Sequence, residues 1–215
     1  YDKARTAFAK LTKMVGLSDT DQIEAMYGNA WLDEQMASAK SDKAGLEKAL
    51  KGYDSLLTRV KSRKDMTDLV GKCTVGKASC LVGLGRNDEA KTLCEKAIAA
   101  SQDEYTRAGA HTMLGRIMVL GAGSSGGKDL YEKALLHFLR VITLYGNAAG
   151  ADEYMAESLF RAGELFNEMR PPSTESPEQK AESRKLRSYA VREWRECVQR
   201  FPNTTWGRKA AQQVN

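Results

Sequence analysis

The sequence predicts an all-α protein, and three observations carry that prediction. Apolar residues recur at three- and four-residue spacing along nearly the whole chain. Glycines, prolines and polar cap residues interrupt the pattern at intervals of about one helix. No stretch alternates apolar and polar residues for long enough to make a strand.

Taken in order, residues 1–15 place Ala4, Phe8, Leu11 and Val15 on one helical face. Further helices are expected near 19–39, 43–61, 65–84, 88–101, 104–121, 128–145, 151–169 and 179–200, with a last one from about 205. Ser18 with Asp21 marks a helix start, and the run Gly83 to Asp88 ends one helix and caps the next. Pro171, Pro172 and Pro177 close another helix and leave an extended linker.

The helices repeat in two alternating kinds. One kind carries a small residue, then a bulkier one four later and an apolar one three further on: Ala4/Phe8/Leu11, Ala49/Tyr53/Leu56, Ala90/Cys94/Ala97, Ala134/Phe138/Val141 and Ala190/Trp194/Cys197. The other carries a mid-helix glycine: Gly28, Gly76, Gly115 and Gly163. A glycine inside a helix costs about 1 kcal/mol against alanine, so four in matching places imply a shared reason. The close approach of a neighbouring helix backbone is the expected one. Separations of 24, 27, 25 and 29 from each small residue to the next glycine predict a stack of helical hairpins.

The segment Tyr189-Ala190, Trp194, Cys197, Phe201-Pro202-Asn203-Thr204 and Ala210, with Leu114-Gly115 and Ala162-Gly163, resembles the tetratricopeptide (TPR) repeat family. The resemblance runs through the chain. It implies one array forming a right-handed α-α superhelix: a half-repeat over 1–17, hairpins near 18–62, 63–102, 103–147 and 148–202, and the start of a further helix over 203–215. The ending Phe-Pro-Asn-Thr-Thr-Trp is similar to repeats of bacterial envelope proteins of the outer-membrane assembly lipoprotein and Tol–Pal coordinator types. That likeness implies a periplasmic or cell-envelope setting, with the cytoplasm as the alternative. Repeat spacings of 45, 41, 44 and 56 exceed the family's usual length.

Composition narrows the function classes. The 215 residues suffice to bury about 70% of the unfolded surface without a disulfide scaffold. Apolar runs such as Ile117 to Leu120 fall far short of the ~20 residues of a membrane-spanning helix, so a membrane span is excluded. Opening at Tyr1 without a leader, the chain reads as a trimmed or mature piece. Its net charge of +5 concentrates between Lys180 and Lys209, a basic end that reads either as a solvated face or as a site for nucleic acid or an anionic surface. Cys73, Cys80, Cys94 and Cys197 have no metal-binding spacing and are expected as buried free thiols.

Catalytic signals are weak. Gly121-Ala-Gly123-Ser-Ser-Gly126 follows an apolar run and matches a dinucleotide-binding turn, but no strand or acidic partner accompanies it. A plain inter-helix loop over 122–128 is expected, leaving a nucleotide-binding enzyme as the remote alternative. Ala122 to Asp129 likewise falls short of a phosphate-binding loop. His111 and His137 have no cluster around them, and no catalytic residue, metal or cofactor is assigned. Glu153, Glu157, Glu164 and Glu168 form one stripe, expected to be solvated.

The resemblance then implies a non-enzymatic scaffold for protein–protein interaction, with a concave groove that holds a peptide or helix of a partner. Residues one past each helix glycine line it: Asn29, Lys77, Arg116 and Glu164. Thr112 and Phe160 flank the last two, Phe160 as an apolar anchor, and Asn167 with Glu168 extends the floor. Reversing Arg116 to Glu is expected to weaken capture without changing stability.

Overall fold

Cap chemistry sets the helix ends, and most lie where the sequence places them. The structure, a computed structural model, describes residues 2–11, 14, 16–125, 127–171 and 176–214. Its helices are α1 (Asp2–Leu11), α2 (Asp19–Lys40), α3 (Lys43–Val60), α4 (Thr67–Gly83), α5 (Asn87–Ala100), α6 (Glu104–Ser125), α7 (Lys128–Leu144), α8 (Asp152–Glu168), α9 (Pro177–Arg200) and α10 (Thr205–Val214), with a 3-10 turn, Lys64–Met66, before α4. No strand occurs among the described residues, and none of their helices is long and apolar enough to cross a membrane. Val15, Gly126 and Pro172, singled out in the sequence, lie outside the described residues.

The Ser18 side chain accepts from the Asp21 backbone N–H at 3.1 Å and so caps α2. Ser176 and Gln179 form a reciprocal capping box on α9, with Pro177 at its first turn. Gly85 ends the α4 turn with φ +78°, a left-handed conformation that side-chain-bearing residues resist. One boundary differs from expectation. α6 continues through Gly121 and Gly123 to Ser125, where a loop was predicted from 122. Ala122 is fully buried, and that packing offsets the cost of two helical glycines.

By its contacts the chain divides into residues 1–106 and 107–215, the boundary falling in the first turn of α6. In the first unit α1 packs on α2, α2 on α3, α3 on α4 and α4 on α5, while α2 also touches α4. In the second, α7 packs on α8, α8 on α9 and α9 on α10, while α8 also touches α10. Neighbours in sequence are therefore neighbours in space, as short connections between helices require. Ile23, Leu32, Tyr53 and Leu56 anchor the first core; Phe138, Met155, Leu159 and Trp194 anchor the second. All four cysteines are free and buried. Burial pushes the thiols of Cys73, Cys94 and Cys197 up to about 12, which leaves them un-ionised and inert at neutral pH.

The four helix glycines share one reason, and it differs from the expected one. An aromatic ring sits over each, where a neighbouring helix backbone was predicted. A Cβ at Gly28 would stand 2.7 Å from the Phe8 ring, and one at Gly115 2.7 Å from the Phe138 ring. Gly76 is covered in the same way by Tyr53, and Gly163 by Trp194. Each glycine is thus a socket for a ring, and the buried aromatic area offsets the lost helix propensity. The order also changes along the chain. Phe8 and Tyr53 precede the glycines they cover, whereas Phe138 and Trp194 follow theirs. The change of order falls after α5, which carries Cys94 where the related helices carry a ring.

Candidate interaction surfaces

Helical spacing brings part of the expected lining together in the second unit. Glu157, Arg161 and Glu164 stand four and three residues apart on α8, so their side chains meet on one face. Arg161 Nη1 donates to Glu164 Oε2 at 2.9 Å. Glu157 Oε1 lies 3.4 Å from Arg116 Nε on α6 and 3.7 Å from Arg161 Nε. These are ion-pair contacts without hydrogen-bond alignment. Glu157 is only 5% exposed, whereas both arginines reach solvent along part of their length. The acidic stripe is therefore not uniformly solvated: Glu153 and Glu168 face water, and Glu157 is drawn inward by two guanidinium groups.

Aromatic packing completes this surface. The Trp206 ring of α10 lies 5.5 Å from that of Phe160, with the Arg161 guanidinium 4.9 Å and the Lys209 ammonium 4.5 Å from the Trp206 centroid. Both cations stand within cation–π range.

The remaining expected residues fall elsewhere. Phe160 is 4% exposed because Trp206 covers it, so it offers no open apolar anchor. Thr112 is wholly buried; its hydroxyl donates to the Ala108 carbonyl at 2.9 Å and lies 3.3 Å from Ser158 Oγ across α6 and α8. Asn167 accepts from Arg170 and Arg187 at 3.1 and 3.2 Å, which ties α8 to α9. Asn29 and Lys77 belong to the first unit, where Asn29 is half-buried and Lys77 pairs with Asp54 of α3 at 2.6 Å. The sequence reading missed Glu157, Arg161 and Trp206 as members of this surface. The spacing within α8 signals the Glu157–Arg161 pair, but nothing local links Arg116 to a carboxylate 41 residues away.

The two histidines, expected to stand alone, form a pair. Their Nδ1 atoms are 2.9 Å apart, so one ring donates Nδ1–H and the other accepts, and Tyr145 stacks on His111. Burial pulls both down to about 4, helped by Arg140 and Arg107 at His111 and by His111 and Arg140 at His137. No group of three potential metal ligands occurs among the described residues, and two imidazoles alone do not make a zinc site. A pH dependence follows. Above the ordinary histidine value of 6.5 both rings are neutral whether the chain is folded or not. As pH falls from there towards 4, the unfolded chain takes up protons that the folded pair refuses, so stability is lost. Allowing for solvent screening of these half-buried rings, the pair accounts for a loss on the order of 1–3 kcal/mol. Unfolding in urea across this pH range should show that extra loss in the wild type and not in His111→Leu/His137→Leu.

The first part of the glycine-rich run is helical, where a turn was expected. Gly121 and Gly123 lie inside α6 with their N–H groups committed to the helix, and a helix, not a strand, leads into them. On α9, Arg184, Arg187, Arg192 and Arg195 line a surface hollow of about 830 Å³. Arg187 lies over the Trp194 ring and Arg192 pairs with buried Glu193 at 2.6 Å. Arg184 and Arg195 form no ion pair among the described residues.

No family model matches the chain, and no curated protein matches it.

Proposed function

We propose that this chain is a non-enzymatic protein–protein interaction scaffold of TPR type, a right-handed stack of antiparallel helix hairpins that takes a peptide or helix of a partner protein. The observation that carries this reading is the ring-on-glycine socket repeated in both units. It supports a common hairpin unit, and hairpins that cannot bury their faces alone do so by stacking. The contacts of α2 with α4 and of α8 with α10 agree, since alternate helices of a stack neighbour one another. Partner contacts fall to the solvent-reaching members of the lining: Asn29, Lys77, Arg116, Glu164 and Glu168. Thr112, Phe160 and Asn167 hold the helices that carry them. A bacterial cell-envelope assembly is the setting that the resemblance of the C-terminal motif favours.

The geometry changes the choice of probe. Arg116→Glu would set a second carboxylate against buried Glu157, so lost capture would be confounded by lost stability. Lys77 and Glu164 make only solvent-reaching pairs, worth under about 1 kcal/mol each. Lys77→Glu/Glu164→Lys is therefore expected to keep its helicity and melting temperature while weakening capture of the native partner about tenfold. Affinity capture followed by mass spectrometry reads the result. Equal recovery of every partner by both proteins would refute the scaffold surface.

A second reading rests on the arginine hollow of α9, which suits phosphate groups of a nucleic acid or an anionic surface. A mobility shift with random RNA that disappears between low and moderate salt, and is lost in Arg184→Glu/Arg195→Glu, would favour it.

A further inference from the structure

The first unit contains a cleft of about 760 Å³ bordered by α1, α2 and the start of α4. Its floor is apolar. Phe8 and Leu11 come from α1, Trp31 from α2, Met66 from the 3-10 turn and Leu69 from α4. Trp31 is 40% exposed and Leu11 36%, so large apolar side chains stand open to water on adjoining helices. Polar groups surround these two exposed side chains.

The rim is mainly acidic. Asp21 and Glu24 border the cleft from α2, and Asp65 and Asp68 from the turn and α4. Lys72 is the one cation among the described residues that line it. Asp65 is neutralised by Arg63 at 2.6 Å, and Asp21 accepts from the Ser18 hydroxyl at 2.6 Å. Glu24 and Asp68 form no ion pair among the described residues. Two carboxylates from two different helices thus flank an apolar floor without an ion-pair partner among the described residues.

We propose that this cleft docks a partner-protein segment that is apolar on one face and carries Lys or Arg beside that face. The proposal rests on the scaffold reading and names the chemistry of its ligand. The apolar side chains of such a segment cover Trp31 and Leu11, and its cations meet Glu24 and Asp68 from the two borders. The acidic rim repels phosphate and so disfavours nucleic acid.

The test uses the whole chain and three labelled synthetic peptides of equal length: an amphipathic Leu/Lys helix, its Leu/Glu counterpart and a Ser/Lys peptide without apolar residues. Fluorescence anisotropy gives the affinities for the wild type, Trp31→Ala and Glu24→Lys/Asp68→Lys. The Leu/Lys helix should bind the wild type at least about tenfold more tightly than either other peptide. Trp31→Ala should lose about tenfold. Charge reversal should transfer the preference to the Leu/Glu helix while leaving the circular dichroism and melting temperature unchanged. Equal affinity for Leu/Lys and Leu/Glu, or a Leu/Lys affinity indifferent to Glu24 and Asp68, overturns the proposal. If capture of the native partner still depends on Lys77 and Glu164, the scaffold reading survives that failure. If it does not, the scaffold reading fails separately. Sedimentation at rising concentration covers the remaining occupant: a dimer dissolved by Glu24→Lys/Asp68→Lys would place a second copy in the cleft and overturn the partner assignment.

Discussion

Trp194→Ala is expected to cost about 3–5 kcal/mol, the largest loss from any single side chain in the second unit. Trp194 is 1% exposed and fills the socket above Gly163. Its Nε1–H donates to the Phe160 carbonyl at 3.1 Å, and the Arg187 guanidinium lies 5.2 Å from its centroid. Truncation therefore opens a cavity between α8 and α9, removes the indole donor from a carbonyl that also accepts within α8, and removes the seat of Arg187. Trp194→Phe separates these effects. A ring still enters the socket, so the loss should fall to about 1–3 kcal/mol, mainly from the smaller fill and the lost indole hydrogen bond. Urea unfolding followed by circular dichroism measures both variants. A cost under ~1.5 kcal/mol for the alanine variant would contradict the socket as the organising contact of this pair.

The second large effect is an asymmetry. Arg161→Met should cost about 3 kcal/mol, whereas Glu157→Gln should cost about 1 kcal/mol, although both break the same ion pair. Removing Arg161 leaves a carboxylate that is 5% exposed with Arg116 as its one ion-pair partner among the described residues, at 3.4 Å and without hydrogen-bond alignment. It also uncovers one face of Trp206. Removing the charge of Glu157 instead strands two arginines that already reach water and can solvate themselves, so the full buried-pair penalty does not apply. A double-mutant cycle between the two positions isolates their coupling. If Glu157→Gln proves the costlier change, the carboxylate is not the buried partner of the network.

The helices were legible because their signals are local. Ser18, Asp21, Ser176 and Pro177 act within one turn of their own helix, and apolar spacing needs only the 3.6-residue period. The glycine series was legible as a repeat, yet its cause was misassigned. A gap in a helix surface says that something fits there, and both a backbone and a ring fit. The α6 terminus was misread because the glycines at 121 and 123 are strong local breakers, whereas the burial of Ala122 that overrides them is tertiary. Of the candidate lining, Arg116 and Glu164, chosen as neighbours of a repeated glycine, meet the side chains of Glu157 and Arg161. Thr112 and Phe160 occupy the same helices but turn into the protein, since a change of about 100° per residue decides which side a position faces. The histidine pair had no signature in residue order, with 26 positions between its members.

Residue order alone settled that the chain is all-helical, where most of its helices start and stop, and that its thiols are buried, because each depends on propensity, caps and period within about one turn. Contact between helices decided which ring fills which glycine, which carboxylate of the α8 stripe goes inside, and that two distant imidazoles meet in a hydrogen bond. Those outcomes depend on the angle and offset at which helices meet. Side-chain shape and desolvation set that geometry among residues 20 to 50 positions apart, and no local pattern in the sequence encodes it.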